Sequence, residues 1–151
     1  MLGNFMSKIL VLYYSRTGNT EKMARAIAEG AKNAGNVEIE VNYYVEAEEL
    51  GKFDAILVGA PTYHHDMPMD MKTLFEEAAV KGISLKRKVG AAFGSYGWSG
   101  GAANQAKSLL EPAGMEIIGA LEIKGTPGEK ELQSAVELGH TIAQRVKESL
   151  R

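Results

Sequence analysis

The sequence predicts an α/β protein: a five-stranded parallel sheet of order 2-1-3-4-5 between two layers of helices. Three observations predict it. Short runs of β-branched and aromatic residues alternate with amphipathic helical stretches along the whole chain. Two of those runs are almost uninterruptedly apolar, as strands covered on both faces are. With 151 residues, 45% hydrophobic and 24% charged, the chain has the size and composition of one globular core. Residues 1–151 therefore read as a single domain, with 1–6 as a flexible leader and Met6-Ser7 as an alternative start.

The elements follow in order. Lys8 to Tyr14 is a compact β-forming run. After Gly18-Asn19-Thr20, small or apolar residues recur at Met23, Ala24, Ile27, Ala28 and Ala31, with Glu21, Lys22, Arg25 and Glu29 on the opposite face of a helix that Gly35 stops. Val37 to Val41 alternates with Glu38 and Glu40, which suits a half-exposed edge strand. Phe53 to Gly59 carries no charge after Asp54 and reads as the third strand. Met67, Met71, Leu74, Phe75 and Ala78 mark the next helix, with Pro68 in its first turn. Val89 to Phe93 is the fourth strand in a sequence that continues through a helix stripe of Ala102, Ala103, Ala106, Leu109 and Leu110, stopped near Pro112-Ala113-Gly114. Met115 to Ile123 is the last strand, and Leu132, Ala135, Val136, Gly139, Ala143 and Val146 line the last helix. Right-handed crossovers leave few ways to connect such a chain, and 2-1-3-4-5 is the common order at this size.

Composition narrows the chemistry. Without cysteine there is no disulfide, no cysteine-held iron–sulfur cluster and no thiol nucleophile, so redox chemistry here needs an organic cofactor. His64, His65 and His140 lack metal-ligand spacing, and no metal site is expected. A net charge of -2 gives no basic field for nucleic acid or an anionic membrane. No apolar run reaches spanning length and no signal peptide is legible, which makes a cytoplasmic protein the expectation.

In the order 2-1-3-4-5 the ligand crevice lies where the chain reverses direction, outside the carboxyl ends of strands 1, 3 and 4. Three loops should build it: Ser15–Thr20, Ala60–Met67 and Gly94–Gly101. In the first, Ser15-Arg16-Thr17-Gly18-Asn19-Thr20 offers hydroxyls, a permissive glycine and a helix N-terminus, a cradle for an anion. It lacks the Gly-Lys-Ser/Thr ending of a nucleoside-triphosphate loop and suits a monophosphate better. The same residue types would also serve as plain helix caps. In the second, Pro61-Thr62-Tyr63-His64-His65-Asp66 can stack a planar ligand on Tyr63, or be a solvated surface loop. In the third, Gly94-Ser95-Tyr96-Gly97-Trp98-Ser99-Gly100-Gly101 sets two large aromatics between glycines that let the backbone approach a flat ligand. One phosphate facing two aromatic loops fits FMN.

Those residues resemble the flavodoxin family from about Lys8 to about Val146. The first loop matches the pattern Ser/Thr-x-Thr-Gly-Asn-Thr, and Ala92-Phe93-Gly94-Ser95-Tyr96-Gly97-Trp98-Ser99-Gly100 is most similar to the flavodoxin domain of flavodiiron proteins. A fifth strand without an insertion is similar to short-chain flavodoxins. The resemblance implies a flavodoxin-like three-layer sandwich binding FMN non-covalently. Ser15, Arg16, Thr17, Gly18, Asn19 and Thr20 would hold the phosphate; Pro61, Thr62, Tyr63 and His64 would line one side of the isoalloxazine, and Ser95, Tyr96, Gly97, Trp98 and Gly100 the other. Two departures stand out. His64 and His65 occupy places where the family has glycine and then acidic residues, and the chain is nearly neutral where flavodoxins are strongly acidic. Flavodiiron proteins also carry a diiron domain for which 151 residues leave neither room nor ligands, so oxygen or nitric oxide reduction is not expected to carry over.

The function this implies is an electron carrier, a monomer or weak dimer, working between redox partner proteins without catalytic residues of its own. The alternative is an NAD(P)H:quinone oxidoreductase of the same fold, which Tyr13-Tyr14-Ser15 and Met23-Ala24-Arg25-Ala26-Ile27-Ala28-Glu29-Gly30 also resemble. Those enzymes are longer, commonly tetrameric and carry a different third loop. A phospho-receiver needs clustered acidic residues after the first strand, and none occurs there.

Overall fold

The computed structural model describes residues 6–14, 18–60, 69–96 and 102–149. Among them run β1 (Ser7–Tyr13), α1 (Asn19–Asn33), β2 (Val37–Asn42), β3 (Ala55–Gly59), α2 (Met69–Val80), β4 (Val89–Tyr96), α3 (Ala102–Leu110), β5 (Glu116–Lys124) and α4 (Glu129–Ser149). The strands form one parallel sheet of order β2-β1-β3-β4-β5, as the alternation predicts. Alternation along each strand divides the core in two. Ile9 and Val11 join Leu57, Ala91 and Phe93 under α1 and α4. Leu10 and Leu12 join Ile56, Val58 and Ala92 under α2 and α3. The expected leader, apart from the exposed Met6, lies outside the described residues.

Two strand limits differ from the sequence reading by more than one residue. β3 begins at Ala55 rather than Phe53, because Ala47–Lys52 winds into a 3₁₀ helix that Phe53 closes. Glu46 and Glu49 cap that helix reciprocally, and Asp54 then clips the chain to β1: the Lys8 amide donates to the Asp54 carboxylate at 2.8 Å. β4 runs through Tyr96, three residues beyond Phe93, because β5 continues to pair with it as far as Tyr96–Lys124. Gly94, Ser95 and Tyr96 therefore belong to the strand and not to the loop after it.

Helix α1 stops as expected. Gly35 takes a positive φ of 74° and its amide donates to Lys32 O at 3.0 Å, while the Lys147 ammonium donates to Ala34 O. Across that helix pair, Gly30 faces the Val136 backbone and Gly139 faces the Ile27 backbone, close enough that neither leaves room for a Cβ.

Candidate functional site

The carboxyl ends of β1 and β3 lie level, with Tyr13 beside Gly59, and Gly59 lies beside Phe93 of β4. Hydrogen bonds carry the pairing one step further on each side: the Tyr14 amide donates to Gly59 O at 2.9 Å and the Ala60 amide to Phe93 O at 3.2 Å. Gly59 is required at this level, since a Cβ there would sit 2.1 Å from the buried Phe93 ring. β4 continues past it, paired with β5, and brings Ser95 beside the opening of α1.

Gly18 precedes α1 with φ 89°, in the left-handed region that favours glycine, and its carbonyl accepts the first helical bond from Lys22 at 3.0 Å. Asn19 and Thr20 open the first turn, where helix amides have no intrahelical acceptor and the dipole favours negative charge. The hydroxyl at this helix start is not at the N-cap: Gly18 stands there and, having no side chain, supplies no side-chain cap. Thr20 turns inward instead. Its Oγ1 lies 2.8 Å from Ser95 Oγ, and the two residues are 1% and 4% exposed. Two hydroxyls carry two O–H donors and their mutual bond uses one. The other has no acceptor among the described residues, in a place where an unmet donor is costly.

Of the residues expected to hold a ligand, the structure thus brings Gly18, Asn19, Thr20 and Ser95 to one point, with the half-buried Tyr96 next along β4. Ser15, Arg16, Thr17, Pro61, Thr62, Tyr63, His64, Gly97, Trp98 and Gly100 lie outside the described residues, on the segments that join β1 to α1, β3 to α2 and β4 to α3. The Thr20–Ser95 pair is what sequence reasoning missed. Its partners are 75 residues apart, and the only available signal was that both fall on the rim of the expected crevice.

Elsewhere, a cavity of about 360 Å³ lies between α2 and α3, lined largely by Phe75, Ala78, Ile83, Leu85, Leu109 and Pro112. Ile83 and Leu85 precede β4, which puts this cavity toward the opposite end of the strands from the crevice. No cluster of potential metal ligands occurs among the described residues, and no described helix is long and apolar enough to cross a membrane.

A family model for flavodoxin matches residues 11–139. This chain belongs to the flavodoxin family. An archaeal flavodoxin structure superposes on it with a TM-score of 0.85 at 38% identity, covering 93% of this chain and 99% of that one. The two-electron reduced flavodoxin of Megasphaera elsdenii does so at 0.77 and 30% identity, over 90% and 98%. Among curated relatives, a nitric oxide reductase of Moorella thermoacetica is 32% identical over 95% of this chain but 37% of its own length. An anaerobic nitric oxide reductase flavorubredoxin of Vibrio vulnificus is 34% identical over 90% of this chain and 28% of its own. The chain thus spans about a third of the curated relatives it matches, and nearly all of the flavodoxins it superposes on.

Flavodoxins and flavodiiron proteins bind FMN. The described residues of this flavodoxin fit that cofactor. A buried hydroxyl pair with one donor unmet among the described residues, at the start of a helix, suits a phosphate, and the ends of β3 and β4 lie next to it in the sheet.

Proposed function

We propose that this flavodoxin carries electrons on one non-covalently bound FMN between redox partner proteins, as a cytoplasmic monomer or weak dimer. The observation that carries the reading is the buried Thr20–Ser95 hydroxyl pair at the start of α1, one of whose two donors meets no acceptor among the described residues. Ser15, Arg16, Thr17, Gly18, Asn19 and Thr20 hold the phosphate. Pro61, Thr62, Tyr63 and His64 stand on one side of the ring, and Ser95, Tyr96, Gly97, Trp98 and Gly100 on the other. FMN supplies reversible one- and two-electron transfer when bound. The protein's part is to anchor the phosphate, wall the ring and exclude water from it.

The nitric oxide reductases among the relatives are about three times as long, and their activity supports only the redox part of this reading. Two assays on the FMN-loaded protein test it. Photoreduced protein should pass its electrons to a one-electron haem acceptor, and steady-state NAD(P)H oxidation with benzoquinone should stay at the level of free FMN. Sustained NAD(P)H–quinone turnover would make it an enzyme of the quinone-reductase type instead.

A further inference from the structure

We propose that Ser95 is a positioning residue for phosphate recognition: it donates its hydroxyl proton to Thr20 Oγ1 and so aims the Thr20 O–H at the phosphate, favouring FMN over riboflavin. The inference rests on the placement of the phosphate at α1 argued above.

The geometry alone allows either hydroxyl of the 2.8 Å pair to donate. An anion at the start of α1 removes the ambiguity, because it can only accept. Were Thr20 to donate to Ser95, it would present lone pairs to the phosphate across a buried gap. With Ser95 donating, Thr20 points its proton outward, along the direction that the first-turn amides and the helix dipole already favour. Hydrogen bonds in such a chain polarise one another, so a Thr20 O–H that accepts from Ser95 is the better donor to the anion.

The two residues suit these roles by where they stand. Thr20 is in the first turn of α1, and Ser95 is on β4, fixed by its pairing with Ile123 of β5. Ser95 is therefore held by the sheet and not by the segment that follows it. Its one proton being committed to Thr20, the Ser95 side chain serves the phosphate, and only its main chain is left to donate a bond to the ring.

The test compares FMN and riboflavin affinities of the full-length apoprotein carrying Ser95→Ala, Ser95→Thr, Thr20→Val, or Thr20→Val with Ser95→Ala, with the thermal stability of each apoprotein as a control. Ser95→Ala should weaken FMN binding by about three- to tenfold and leave riboflavin within about twofold, as expected for one positioned hydrogen bond. Ser95→Thr, which keeps the hydroxyl, should recover most of the FMN affinity. Thr20→Val should cost at least about tenfold for FMN, a bond to a charged group being the stronger kind, and adding Ser95→Ala should then cost little more. Equal weakening of both flavins by Ser95→Ala, no recovery with Ser95→Thr, or losses that multiply in the double variant would reduce the pair to a tack between helix and strand. If Thr20→Val left FMN affinity unchanged, the phosphate would not lie at α1, and the placement of the site would fail together with this inference.

Discussion

On one face of the sheet α1 and α4 run against each other more extensively than any other two helices, and Gly30 and Gly139 bring their backbones into contact. On the other face α2 and α3 barely touch, and the apolar cavity of about 360 Å³ separates them. Both faces bury similar sets of aliphatic side chains, so hydrophobicity does not distinguish them. What differs is which atoms meet. Backbone packed on backbone has no rotamer to yield, whereas side chains around a gap can rearrange. The helix whose N-terminus is proposed to hold the phosphate belongs to the unyielding face. The difference teaches that this flavodoxin is stiffest behind α1, where a small displacement would misplace Thr20 relative to Ser95.

The contrast can be broken most severely at Gly139. A Cβ there would lie 1.9 Å from Ile27 O. Helix propensity favours alanine over glycine by about 1 kcal/mol, while forcing the helices apart costs about 3 kcal/mol, so Gly139→Ala should destabilise by about 2 kcal/mol net. Denaturant unfolding reads this directly, and a loss under about 0.5 kcal/mol would show that the two helices separate freely. On the opposite face the same kind of enlargement should help. Ala79→Leu at the exposed margin of the α2–α3 cavity should raise stability by about 0.5–1 kcal/mol in thermal unfolding. No gain would mean the cavity does not accept a larger side chain.

The smallest effect belongs to an exposed ion-pair cluster that ties α2 to the 3₁₀ helix. Lys81 bridges Glu48 and Glu77, and its hydrogen bonds to these two raise its pKa. The hydrogen bond from Lys81 in turn holds the Glu48 carboxyl below its ordinary range. A lowered carboxylate pKa gives stability that is present above the ordinary value and lost as pH falls through the lowered one. Glu48→Gln should therefore melt slightly below wild type at neutral pH. That gap should close as pH drops below the usual 4.5, and also in about 1 M salt. A gap that persists in acid would have to come from packing rather than charge.

Strand order and helix faces were legible because burial on two faces imposes apolar runs, and Gly35 announced the end of α1 by its need for a positive φ. The 3₁₀ helix at Ala47–Lys52 was not. Its six residues hold too few apolar positions to show a period, and what organises them is the Glu46–Glu49 capping pair. The extra length of β4 was hidden in the same way, because Gly94-Ser95-Tyr96 reads as a turn and becomes strand only through Glu122, Ile123 and Lys124 on the neighbour. For the site, the first loop's residue types pointed to an anion, while the bond between Thr20 and Ser95 depends on two elements meeting in space. Gly139 looked like an ordinary member of its helix face and Gly30 was not marked as a face residue at all, since a sequence does not show that two helices cross there.

The flavin is proposed to sit at the ends of β1, β3 and β4 and not in the cavity between α2 and α3. An amide-resolved NMR titration of isotope-labelled apoprotein with FMN tests it most directly. Saturable shifts, complete at one equivalent, are expected in the amides of Asn19, Thr20, Ser95 and Tyr96, with Phe75, Ile83 and Leu109 unmoved. Shifts concentrated at Phe75, Ile83 and Leu109 with a silent start of α1 would contradict it.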